Sequence, residues 1–251
     1  MTRIFSQPLG ALTLLGALLG LGPAQAHHVW LEQDTTGATL YFGEFGGNLR
    51  EASPGLLDKF VQPVAQRLVA SAGQPAGVRK TANGFAIAAR AARGESIVAE
   101  EPAYPVSERK EGDKTIRSIY VPAARLVADF ARQEPRLTLD LVPTGEAGKE
   151  GGVQIQAFYK GQPLPKAKVA VVNVAGWSQE FQTDEAGKFS VKLPWRGTYV
   201  LELSHRDTSA GQRTNGDKYD RASYVTSLTV HQPDGLPALA APPAAPPNKV
   251  N

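Results

Sequence analysis

The sequence predicts an all-β protein, two immunoglobulin-like β-sandwich domains in tandem after a cleaved N-terminal signal. Three observations predict it. Short runs of β-branched and aromatic residues recur along the chain, separated by Gly, Pro or polar clusters. The second half alternates apolar and polar residues with the period of two that a half-buried strand requires. Turn signals fall about every ten residues, the spacing of a seven-strand sandwich.

Residues 1–26 carry an Arg near the start, an apolar run from Leu9 to Leu21, and Ala24-Gln25-Ala26 as an A-x-A cleavage site. That is the three-part pattern of a secretory signal peptide, and the apolar run is shorter than the ~20 residues a spanning helix needs. The mature chain is expected to be periplasmic or secreted, to begin at His27 or, with the cut shifted by one residue, at Ala26 as Ala-His-His, also a Ni/Cu chelator, and not to span a membrane itself. Residues 27–145 form the first expected β domain, with strands at "HHVWLEQ", "ATLYFGE", "AQRLVASAG", "GFAIAAR", "ESIVAEE", "RSIYVPA" and "RLTLDLVP". Two stretches in it have helical potential, Pro54 to Phe60 and Ala123 to Phe130, although neither sustains a 3.6-residue period.

The Gly-rich, charged stretch 143–152 marks the domain boundary, and residues 146–232 form the second sandwich. In "KFSVKLP", Phe189, Val191 and Leu193 alternate with Lys188, Ser190 and Lys192, and the preceding "TDEAG" is a turn whose Gly permits positive φ. A polar segment from Arg206 to Ala222 is too long for an ordinary connection and is expected to be functional or disordered. The last strand is "SYVTSLTV". Residues 233–251 are Ala/Pro-rich and are expected to form a disordered or extended tail.

Composition removes several function classes. The chain has no Cys, which excludes disulfides, thiolate metal sites and Cys nucleophiles. Lys and Arg number 27 against 24 Asp and Glu, with no basic run, so no nucleic-acid partner is expected. Nucleophile-elbow, phosphate-loop and dinucleotide-binding motifs do not occur, and no enzymatic activity is expected.

"GQPLPKAKV", "TDEAGKF" and "GTYVLEL" together resemble the transthyretin-like and carboxypeptidase-regulatory-like β-sandwich modules. With the opening "AHHVWLE" and the closing "LELSHRD" and "YDRASYVTSLTV", nearly the whole mature chain resembles the NikM-type family of periplasmic proteins, a domain of unknown function linked to nickel and metal uptake. The resemblance implies metal handling and matches His205, in "SHRD", to the metal site.

Four histidines occur, and two of them, His27 and His28, stand at the expected mature terminus. A free α-amine titrates near ~7.7–8.0 and so yields its proton readily to a metal. With His27 first, the amine and its own imidazole can chelate one ion, with a third nitrogen from another His, as in a copper histidine brace. Alternatively the amine, the His28 amide nitrogen and the His28 imidazole give a square-planar set suited to Ni(II) or Cu(II). His205 ends a strand on the face of Tyr199, Leu201 and Leu203, where a packed structural role competes with that of a ligand. His231 should face outward. Glu32, Glu44, Asp217 and Asp220 are candidates for weak ligands or for orienting an imidazole; Trp177 and Trp195 are expected to pack at a core edge.

The expectation is therefore a periplasmic metal-binding protein for Ni, Co or Cu through His27, His28 and His205. It would serve as an accessory or carrier that hands its ion to a membrane metal transporter or an outer-membrane receptor. Two other readings stand beside it: a metal-free immunoglobulin-like recognition or scaffold module, and a copper histidine-brace oxidative enzyme.

Overall fold

A computed structural model describes residues 27–70 and 72–249. The expected signal peptide lies outside the described residues. Twenty strands follow in chain order. The first half contains β1 (His28–Gln33), β2 (Ala38–Glu44), β3 (Leu49–Arg50), β4 (Val64–Val69), β5 (Ala72–Ala76), β6 (Val78–Lys80), β7 (Phe85–Ile87), β8 (Ser96–Glu100), β9 (Ser107–Glu111), β10 (Lys114–Val127) and β11 (Leu139–Ala147). The second contains β12 (Val153–Tyr159), β13 (Gln162–Pro163), β14 (Lys168–Asn173), β15 (Ser178–Gln182), β16 (Lys188–Val191), β17 (Gly197–Asp207), β18 (Gly211–Gln212), β19 (Lys218–Tyr219) and β20 (Arg221–Gln232). The only helical segments among the described residues are the short 3₁₀ turns Leu56–Lys59 and Lys149–Gly151. The all-β prediction holds.

The strands make three layers around one nine-stranded sheet, ordered β15-β14-β17-β20-β10-β8-β4-β5 with β9 on β10. A five-stranded sheet, β1-β2-β7-β6 with β3 on β2, covers one face, and β11-β12-β13 with β16 on β12 covers the other. The join at the centre is the parallel pairing of β10 with β20, from Ser118↔Arg221 to Leu126↔Thr229. Strands from both halves of the chain thus lie in one sheet, and the expected boundary between residues 145 and 146 falls inside β11.

Two cores follow from this layering. Val29, Leu31, Leu40, Phe42, Phe60 and Ile97 fill the space under the five-stranded sheet. Leu141, Ile155, Val171, Tyr199, Leu201 and Leu228 fill the space on the opposite face. Trp30, Phe45, Val172 and Val200 close the gap where β1 overlaps β14 and β17. A strand with a core on each face reads as a continuous apolar run, which explains the one element that local pattern misassigns. Ala123 to Val127 is strand, not helix: it is the buried end of β10, with β20 on one side and β8 on the other. Tertiary pairing overrides the helix propensity of its alanines. The segment Pro54 to Phe60 carries only the 3₁₀ turn.

Other sequence expectations meet the structure directly. The "TDEAGKF" turn forms as read: Gly187 takes φ 73°, and Asp184 Oδ1 accepts the Ala186 and Lys188 N–H groups at 2.9 and 2.8 Å. Trp177 and Trp195 meet edge to face at 5.2 Å and pack against the second core. The long polar segment contains the β18–β19 hairpin. Residues 233–249 first stay on the second half, with Leu236 bonded to Pro194 and Arg196, and then reach the first, with Ala245 bonded to Asn48.

Candidate functional site

His27 and His28 are placed by β1. Successive side chains of a strand point to opposite faces, and here they diverge. His27 goes with Val29 and Leu31 to the first core's side, whereas His28 shares the face of Trp30. The pair therefore does not present two imidazoles to one point from the strand alone.

The His27 ring packs on Phe42, centroids 5.1 Å apart. From Phe42 a run of rings continues through Phe60 at 5.1 Å, Tyr104 at 5.5 Å and Tyr120 at 5.0 Å. It returns to its start, because the Tyr120 hydroxyl donates to the His27 carbonyl at 3.0 Å. Burial raises both phenols, that of Tyr104 to about 12, so both remain neutral. Arg213, from the long polar segment, braces this wall by donating to the carbonyls of Tyr104 at 2.7 Å and Tyr120 at 3.4 Å.

On its other side His27 meets a fully buried carboxylate. Glu51 Oε1 lies 2.6 Å from His27 Nε2. The Asn248 main-chain N–H donates to Glu51 Oε2 at 3.1 Å, and its side-chain amide donates to Oε1 at 2.7 Å. The two Asn248 donors mark Glu51 as an acceptor, so in a neutral His27 ring the proton shared with Oε1 lies on Nε2, which the Asn248 amide nitrogen also approaches at 2.9 Å. That leaves Nδ1 as the nitrogen with a lone pair.

His28 is buried, and its Nδ1 has no hydrogen-bond partner. Burial first, and then the neighbouring His27, depress its pKa to about 4, so the ring is neutral across the physiological range. It stands opposite Gly43 in the β1–β2 ladder. Gly43 takes φ 146°, and a Cβ there would lie 2.3 Å from the Leu49 carbonyl oxygen. Only glycine lets β3 close here and deliver Glu51, the next residue after the strand.

His205 lies elsewhere. It is on the opposite face of the nine-stranded sheet, its ring 4.3 Å from that of Tyr159. Tyr159 donates to Asp207 Oδ2 at 2.5 Å, and Lys160 reaches the same oxygen at 3.0 Å. A packed layer of β10 and β20 separates it from His27, so His205 is not the third nitrogen of an N-terminal site. His231 is exposed near the far end of β20. None of the four carboxylates singled out in the sequence reaches His27. Glu32 pairs with Arg50 and Trp30, Asp220 accepts the Arg117 N–H, Asp217 bonds Asn215, and Glu44 lies near Glu202. Among the described residues no three His, Asp or Glu side chains form a group that could hold a metal ion.

Glu51 and Asn248 are the residues that sequence reasoning misses. Glu51 sits in "NLREASPG", which reads as a solvated loop, and Asn248 sits in the tail. Neither carries a local signal.

A family profile described as a domain of unknown function (DUF4198) matches residues 24–207. No curated protein matches the chain. A chain from the structure titled "Structural insight into host cell surface retention of a 1.5-MDa bacterial ice-binding adhesin" is similar at 10% identity and a TM-score of 0.23, over 84% of this chain and 65% of that one. No helix among the described residues is long and apolar enough to cross a membrane.

Proposed function

We propose, from the premise that the chain belongs to the DUF4198 family, that it is an exported protein that captures a late first-row metal ion at its mature N-terminus. The ion, Ni(II), Co(II) or Cu(II), is cargo, held for transfer to a membrane transporter or receptor. The observation that carries this reading is the His27–Glu51 contact at 2.6 Å. Metal-ligating histidines are commonly oriented by a carboxylate on the ring nitrogen that does not bind the metal, which selects the tautomer and raises the basicity of the other. Here Glu51 holds Nε2 and leaves Nδ1, the nitrogen able to close a chelate ring with the α-amine of the same residue.

The donor set fits the cargo. Two nitrogens from one residue, supplemented by solvent or a main-chain amide, suit Cu(II) and Ni(II) and not Mg(II) or Ca(II), which take oxygen. A site built on a terminal residue needs no three-side-chain cluster. Binding releases protons, because amine and imidazole must both be neutral, and so weakens as pH falls. The resemblance of the opening and closing motifs to the NikM-type proteins supports the same reading.

The test is metal retention by the secreted protein. The mature mass is expected to start at His27, with one ion retained after dialysis against Cu(II). The His27→Ala, His28→Ala variant is expected to retain none, and equal retention by both proteins would refute the proposal.

A further inference from the structure

The geometry points to the C-terminal segment 242–249 as part of the His27 site, with Asn248 a positioning residue that acts on His27 through Glu51. This inference rests on the reading of His27 as a metal ligand. Three contacts carry the segment. Pro242 accepts the Asn48 side-chain amide at 2.8 Å, Ala245 donates its N–H to the Asn48 carbonyl at 3.1 Å, and Asn248 caps both oxygens of Glu51. The anchors 242, 245 and 248 are three residues apart, the repeat of a polyproline II helix. The sequence around them, "PPAAPPN", is preorganised for that conformation and has little chain entropy to lose on docking.

Docking has a consequence at the ring. Asn248 supplies two of the three donors on Glu51, and its side-chain amide nitrogen stands 2.9 Å from His27 Nε2. Withdrawing the segment opens a buried carboxylate to water and removes what holds its oxygens in line with the imidazole. The ring is then free to turn or to change tautomer. The segment sits on the surface and is anchored by few bonds, so it can be displaced without unfolding a sheet. Capture is tight with the strap docked and loosened when it is lifted, which gives a receiving protein a handle for release.

Two variants test this: Asn248→Ala and a chain ending at Ala240, which keeps the Leu236 contacts with Pro194 and Arg196. Loss of such a supporting hydrogen bond is expected to weaken Cu(II) binding by about tenfold, the lower end of the range for outer-shell changes. Both variants should melt with the wild type. In metal-free protein, nitrogen NMR of His27 should show the Nε2–H tautomer in the wild type and a mixture in either variant. Wild-type affinity and an unchanged tautomer in both variants would overturn the role of the strap. If the wild type itself fails to bind Cu(II), the functional reading fails, and the tautomer measurement still decides whether Asn248 positions the ring.

Discussion

Glu202 is a mostly buried carboxyl whose pKa is pushed up to about 7, first by burial and then by the charge of Glu44. Its folded pKa exceeds the unfolded value of 4.5, so the stability linked to its protonated form is present below pH 4.5 and lost as pH rises through about 7. His28 runs the other way. Its folded pKa of about 4 lies below the unfolded 6.5, so stability is lost as pH falls from 6.5 to 4. The two slopes oppose each other between pH 4.5 and 6.5, so Glu202 offsets there what His28 loses on acidification. Glu202→Gln should stabilise the protein at pH 8 by up to about 3 kcal/mol and by little at pH 4, measured by denaturant unfolding. Equal effects at the two pH values would show that folding does not raise the Glu202 pKa.

At the scale of the element, the buried end of β10 carries an ion pair in the core. Arg125 donates through Nε and Nη2 to Asp140 at 3.0 and 2.6 Å, and through Nη1 to Ser96 at 2.9 Å. Asp140 also accepts the N–H groups of Arg136 and Leu137. Asp140→Ala leaves an uncompensated buried guanidinium and should cost about 3–5 kcal/mol, read as a drop in the unfolding midpoint; a change below 1 kcal/mol would contradict the pairing. Nothing in "ARLVADF" announces this pair. Hairpins such as "TDEAGKF" are legible because their cause is local, a glycine and an Asx turn. The end of β10 is not, because its cause is β8 and β20, distant in sequence. The candidate site divides the same way. His27 and His28 stand out at the expected terminus, whereas Glu51 and Asn248 reach His27 only through folding.

Across the whole molecule, the parallel β10–β20 pairing ties both halves of the chain into one sheet with a core on each face. Each half packs a core largely its own, but the two share the β10–β20 ladder and Ile119 and Val127 of the first half complete the second core, which predicts a single cooperative transition in scanning calorimetry; two separated transitions would mean that the halves fold independently. The same topology places the first strand, the Glu51 turn and the returning C-terminal segment at one end of the molecule. His205 is left on the opposite face of the shared sheet. The proposed metal site is therefore one imidazole, its carboxylate and a terminal amine. The most direct test is electron paramagnetic resonance of the mature protein loaded with one equivalent of Cu(II). Nitrogen hyperfine couplings that disappear in the His27→Ala, His28→Ala variant are the predicted result. A spectrum of oxygen ligands alone, or couplings unchanged in the variant, would contradict it.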